Sequence, residues 1–191
     1  MAELDDEELD SVAVAWNARL EAAREAGFAH PFLLVNEGRE AGASLPHSHS
    51  QLAWLREAPP EVVAELPRLQ KSDCALCEVL RDETLEIAFE GDLSLRAAQA
   101  GRVPYELLIA PQAHDERPAE EDIRGALSLL RAAVQRLHAT EGPVPLNAWL
   151  HTGAHWHFEI VPRLTVFAGL ELGAGLYVNW LPPDEAAQRL R

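Results

Sequence analysis

Apolar positions in residues 5–26 recur at helical spacing, with Leu9, Val12, Trp16, Leu20 and Ala23 on one stripe and Gly27 following as a stop. The run "PFLLVN" (31–36) reads as a buried strand, and a glycine-rich loop follows it through residue 45. His47–Leu55 then alternates polar and apolar, as a half-buried strand would, and "PPEVVAELPRLQ" (59–70) suggests a short helix. Beyond it the texture changes. "TLEIAFE" (84–90), "LSLRAAQ" (93–99) and "YELLIAP" (105–111) read as three strands joined by short turns, most simply an antiparallel meander. A second long helix is predicted over 119–140, with Ile123, Leu127, Leu130, Val134 and Leu137 on one face and an acidic first turn suited to the helix dipole. "PLNAWLHT" (145–152) and "HWHFEIVP" (155–162) predict two more strands, and "PPDEAAQRLR" a closing helix with proline near its start.

The pattern repeats. Helix 5–26, strand 31–36, loop and His47-Ser-His49 parallel helix 119–140, strand 145–152, turn and His155-Trp-His157. The second copy has a cysteine pair and about three strands ahead of its helix, whereas the first has neither. The chain is therefore expected to hold one complete unit (71–191) and the C-terminal half of a preceding one (1–70), the missing half lying before Met1.

Composition narrows the function. The 191 residues are 48% hydrophobic and 25% charged, which suits a globular chain with a real core. Asp plus Glu number 31 against 16 Lys plus Arg, a formal charge of −15. Such a surface repels phosphate backbones and anionic lipid, so neither nucleic acid nor a membrane is the expected partner. Because 15 of the 16 basic residues are arginines, a local pocket for one phosphorylated ligand stays open. The N-terminus is acidic without an apolar signal core, no run reaches membrane-spanning length, and the cytoplasm is the expected compartment.

Two constellations carry chemistry. In "GASLPHSHSQ" the strand period puts His47, His49 and Gln51 on one face. Neutral imidazole is a competent nucleophile toward phosphorus. Gln51 would donate a neutral hydrogen bond to a phosphoryl oxygen without supplying a proton, which suits a leaving group that is already good, such as a sugar phosphate. The approach "NEGREAGAS" (36–44) offers flexible backbone whose N–H groups can cradle a phosphate. The second constellation is Cys74-x-x-Cys77, half a zinc site or a redox pair; the order of elements is not thioredoxin-like, and His114 and His155 are candidate completing ligands. His151, His155 and His157 also cluster and could hold a metal with a carboxylate such as Glu65, but His155 cannot serve two sites and the intact cysteine pair favours the first.

"NEGREAGASLPHSHSQ", "HWHFEIVPRLTVFAGLELGAGLYVN" and "PPDEAAQRLR" together resemble the galactose-1-phosphate uridylyltransferases, a branch of the histidine-triad superfamily. The similarity is greatest to members with Ser between the two histidines, which include plant-type ADP-glucose phosphorylases. The resemblance implies an α+β fold, a histidine-triad-like (HIT-like) antiparallel sheet with flanking helices. It implies a nucleotidyltransferase in which His49 takes a nucleoside monophosphoryl group from a nucleotide sugar and passes it to a sugar 1-phosphate or phosphate. Gln51 would bind the phosphoryl oxygens, and Asn36, Gly42 and Ser44 the nucleotide phosphates. Cys74, Cys77, His114 and His155 match zinc ligands of the second repeat, and His47 a ligand of the first. Glu171 matches a residue contributed to the partner subunit's sugar site in a homodimer. Competing with this are a zinc-stabilised, non-catalytic chain that binds a nucleotide or complements another chain, and a histidine-triad hydrolase, against which Gln51 argues.

Overall fold

The computed structural model describes the backbone of residues 1–191 and every side chain except that of Lys71. Seven strands form one antiparallel sheet in the order β2-β1-β6-β7-β5-β4-β3. In chain order these are β1 (His30–Glu37), β2 (His49–Leu55), β3 (Glu86–Glu90), β4 (Leu93–Ala97), β5 (Leu107–Pro111), β6 (Leu146–His151) and β7 (His157–Pro162). The helices are α1 (Asp6–Glu25), α2 (Pro60–Glu65), α3 (Ala75–Val79), α4 (Glu120–Glu141), α5 (Gly169–Ala174) and α6 (Pro183–Leu190). Among the described residues no helix is long and apolar enough to cross a membrane.

Local chemistry sets the two long helices. Asp5 accepts from the Glu8 backbone N–H at 2.8 Å while Glu8 accepts from that of Asp5 at 2.9 Å, so two amides otherwise left without partners at the start of α1 are satisfied reciprocally. The stripes of α1 and α4 pack together on one face of the sheet. Leu9, Trp16 and Leu20 meet Ile123, Leu127, Leu130 and Val134 in a single core that also takes Leu33 and Val35 of β1 and Ala148, Phe158 and Ile160 of β6 and β7. Both predicted halves feed this core. The join is made by β1 and β6, which pair antiparallel from Leu34↔Trp149 to Glu37↔Leu146.

Several boundaries differ from the sequence expectation. The alternation from His47 predicts a longer strand than forms: β2 starts at His49, and His47 lies in the preceding loop just after Pro46, which has no N–H to give a ladder. Likewise β7 starts at His157. His155 precedes it, with Nε2 3.1 Å from the Pro111 carbonyl, so His155 and His157 do not share a strand face. Tyr105, predicted in β5, has φ 57, a left-handed conformation that ends any strand. The Glu106 carboxylate accepts the backbone N–H groups of Arg102 and Val103 and closes that turn. Finally, α5 was not expected; it buries none of its residues.

Because first-half and second-half side chains share one core, unfolding should be a single transition. Leu20→Ala and Leu130→Ala should each cost about 2–5 kcal/mol and shift the same urea midpoint. Two separable transitions, each sensitive to only one substitution, would contradict a shared core.

Candidate functional site

The long helices α1 and α4 cover one face of the sheet, and α2 meets part of the other through Glu65. With alternate residues of β1 and β6 turned into the core, Leu34, Asn36, Asn147, Trp149 and His151 point to the opposite face. The registers place their neighbours. His49 sits opposite Asn36, and Asn36 opposite Asn147, giving one row across three strands. Gln51, Leu34, Trp149 and Glu159 form the next.

His49 Nδ1 lies 3.3 Å from the His47 carbonyl. A carbonyl only accepts, so Nδ1 carries the hydrogen and Nε2 keeps its lone pair. The loop between β1 and β2 folds as one tight turn, with the Ala41 and Ala43 N–H groups donating to the Gly38 carbonyl. Gly38 has φ 85, and a Cβ there would come within 2.8 Å of Pro145 Cβ. The loop is thus seated on the start of β6. Gly42, at φ 81, ends the turn, and Ser44 is exposed beyond it. His47 is exposed.

The corresponding positions around His157 are occupied differently. His157 Nδ1 lies 3.0 Å from the His155 carbonyl, the same arrangement as His49 with His47. His151 stands opposite His157 where Asn36 stands opposite His49, and Glu159 replaces Gln51. Here the face is closed. His151 Nε2 lies 2.6 Å from the Trp149 indole nitrogen and 3.1 Å from a Glu159 oxygen, while Nδ1 lies 2.8 Å from Glu65 of α2. The other Glu65 oxygen lies 3.3 Å from His157 Nε2, and the two imidazoles stack at 4.4 Å. Burial disfavours ionisation of Glu65, but the hydrogen bonds from His151 and His157 outweigh it and hold the carboxyl far below the usual range. Burial lowers the His151 pKa and keeps the ring neutral, against the pull of Glu65.

Cys74, Cys77, His114 and His155 form a separate cluster whose ligand atoms lie within 4.8 Å of one another. Cys74 Sγ is 3.4 Å and Cys77 Sγ 3.5 Å from His155 Nδ1, and Cys77 Sγ is 3.3 Å from His114 Nδ1. Tetrahedral zinc with Zn–S of about 2.3 Å and Zn–N of about 2.0 Å requires S···N edges of about 3.5 Å. The Pro111 carbonyl at His155 Nε2 fixes the tautomer that leaves Nδ1 free to ligate. Burial, with the adjacent Cys74, pushes the Cys77 thiol up, so a thiolate there calls for a cation. The residues fit zinc. Among the described residues, Glu65, His151 and His157 are the other group able to hold a metal, and His47 belongs to neither.

No protein-family model matches the chain. Over its whole length it is 26% identical to ADP-glucose phosphorylase of Arabidopsis thaliana. Over 84% of its length it is 29% identical to galactose-1-phosphate uridylyltransferase of Thermotoga maritima. Two solved structures, of a uridylyltransferase and of a uridylyltransferase-like protein from Arabidopsis thaliana, superimpose with TM-scores of 0.88 at 27% and 26% identity, covering 99% and 100% of this chain. The chain is a relative of the galactose-1-phosphate uridylyltransferases. It spans 60% and 59% of the two curated relatives, and 68% and 70% of the two solved chains.

In this uridylyltransferase relative, Asn36, His49 and Gln51 share the open face, Gly42 and Ser44 lie on the adjoining loop, and Glu171 sits in the first turn of α5, its carboxylate accepting the Ala168 N–H at 2.9 Å. Sequence reasoning missed Asn147, Glu159 and Trp149. A signal was available for the first: in "LNAWLH" one amide interrupts an apolar strand at an outward position.

The Glu65 pKa is depressed below its ordinary 4.5, so the stability it supplies is complete above that pH and lost as pH falls below it. Glu65→Gln should therefore lower the urea midpoint at pH 7, with the gap to the parent protein narrowing progressively as the pH falls below 4.5. A gap undiminished in acid would contradict an ionised Glu65.

Proposed function

We propose that this chain is a nucleotidyltransferase that moves a nucleoside monophosphate between a nucleotide sugar and a sugar 1-phosphate or phosphate. The observation that carries this reading is the row His49–Asn36 beside Gln51, open on the sheet face and flanked by the 38–44 loop, in a relative of the uridylyltransferases. His49 Nε2 attacks the α-phosphorus. A P–N bond forms, the P–O bond to the sugar phosphate breaks, and sugar 1-phosphate leaves with the bond electrons. Nδ1 keeps its hydrogen on the His47 carbonyl, which stabilises the charged ring of the nucleotidyl-histidine. An oxygen of the acceptor phosphate then attacks the same phosphorus and restores neutral His49. Gln51 and Asn36 supply uncharged donors to the phosphoryl oxygens, and Gly42 and Ser44 the adjoining phosphate contacts. Both leaving group and acceptor are already anionic phosphates, so no proton donor is needed.

Residues 1–70 supply the HSHSQ motif and 71–191 the complete unit. Cys74, Cys77, His114 and His155 hold a structural zinc, which braces the loops ahead of β7 without touching the reacting phosphorus. Glu171, on a segment whose Val166 and Leu172 are exposed, serves the sugar site of a second subunit in a homodimer.

A second reading has its own support. β2 is an edge strand, and the chain spans about three-fifths of its curated relatives. On this reading the chain binds nucleotide or complements another chain without turnover.

Intact-mass measurement after incubation with UDP-glucose or ADP-glucose separates the two. The transferase gains a nucleoside monophosphate on the parent protein and none on His49→Asn. An adduct that survives His49→Asn, or none on the parent, would sink it. For zinc, Cys74→Ser should lower bound metal at least tenfold by elemental analysis; equal metal content would overturn the four-ligand assignment.

A further inference from the structure

Asn147 lies on β6, within residues 71–191, yet two of its three side-chain contacts are to residues before position 71. Its Nδ2 donates to the Ala41 carbonyl at 2.8 Å and to Asn36 Oδ1 at 2.7 Å, and its Oδ1 lies 3.4 Å from Arg163 Nη1. Two of these partners act in one direction only. A carbonyl cannot donate and a guanidinium cannot accept, so Asn147 has only one orientation that satisfies both. That orientation passes a constraint on: Asn36 must turn its oxygen toward Asn147. The Asn36 amide nitrogen is then left for the other side, where His49 stands opposite on β2.

We propose that Asn147, held by Arg163, is a positioning residue that sets the direction of the Asn36 amide, so that Asn36 presents N–H rather than C=O to a phosphoryl group at His49. This rests on the reading of His49 as the nucleophile. A carboxamide turned the wrong way would aim a carbonyl dipole at an anion, exchanging attraction for repulsion. The same Asn147 nitrogen holds the Ala41 carbonyl, so the loop and the amide are fixed by one side chain. Gly38, seated against Pro145 two residues earlier on the chain, fixes the other end of that loop.

The test compares the parent protein with Asn36→Ala, Asn147→Ala, Asn147→Asp and the double Asn36→Ala/Asn147→Ala variant. The rate of adduct formation is followed by quenched intact-mass measurement with UDP-glucose and ADP-glucose. Asn147→Ala should slow the adduct by about 10-fold to 100-fold, and the double variant should be no slower than Asn36→Ala alone, since the effect runs through Asn36. Asn147→Asp keeps an acceptor for Arg163 but removes the donor, forcing Asn36 to turn. It should be slower than Asn147→Ala although no less stable to heat. Losses that multiply in the double variant, or an Asp variant as fast as the Ala variant, would overturn the proposal.

A second readout needs no turnover. Inorganic pyrophosphate should shift the side-chain amide NMR signal of Asn36 in the parent protein, and Asn147→Ala should abolish that shift. If the parent forms no adduct yet this pattern holds, the transfer reaction falls and the positioning role stands. If the shift is absent in the parent or unchanged in Asn147→Ala, the positioning role falls.

Discussion

The pairing of β1 with β6 is the interaction on which the rest depends. Four cross-strand pairs join β1 and β2 to the other five strands in one sheet, and α1 then lies alongside α4 over a common core. A two-stranded element such as β1–β2 is marginal by itself. Here it borrows a neighbour, a helix and an apolar face from the second unit. The same pairing puts Asn147 beside Asn36, and so lets the second unit reach into the site of the first.

The two His-x-His segments share a local geometry and differ in what surrounds them. Each places an imidazole at the start of a strand with Nδ1 on the carbonyl two residues back. In the first, the neighbours across and along the sheet are amides, Asn36 and Gln51, and the ring lies at the solvent edge. In the second they are His151 and Glu159, and Glu65 of α2 closes over both rings. Carboxylates at these positions repel phosphate, and a ring held against Glu65 has no free lone pair to offer it. Glu65 thereby ties α2 to this part of the face.

Much of the fold was legible because the hydrophobic pattern is strong where elements are long. The stripes at Leu9, Trp16 and Leu20 and at Ile123 to Leu137 are buried as their spacing requires. The misreadings have a common cause, in that strand periodicity says nothing about where a ladder stops. His47 and His155 both lie on an alternating pattern and both fall outside their strands, because a proline precedes one and a carbonyl captures the ring of the other. Tyr105 was hidden for a related reason. Its left-handed backbone depends on Glu106 accepting two amides behind it, a tertiary arrangement that propensity cannot report. Of the candidate site, His49 and Gln51 could be read from their motif, and the four cluster residues from their types. Asn147 shows in the sequence only as an amide interrupting an apolar strand; its partner comes from a register between strands more than a hundred residues apart.

That separation explains why orientation, and not the inventory of groups, is the useful quantity at this site. An asparagine offers a donor and an acceptor of similar shape, so its presence beside His49 leaves the sign of its contribution undecided. The sign is set by whatever holds its other end. Here the chain of constraint begins at groups that cannot reverse, the Arg163 guanidinium and the Ala41 carbonyl, and passes through Asn147 to Asn36. A neutral donor suits this place better than an arginine would. For the transfer proposed above, such a donor stabilises charge on the phosphoryl oxygens without holding the leaving sugar phosphate by a strong ion pair, which a reversible exchange between two phosphates must avoid. Arg163 reaches Asn36 only through Asn147, whose Oδ1 lies 3.4 Å from its Nη1.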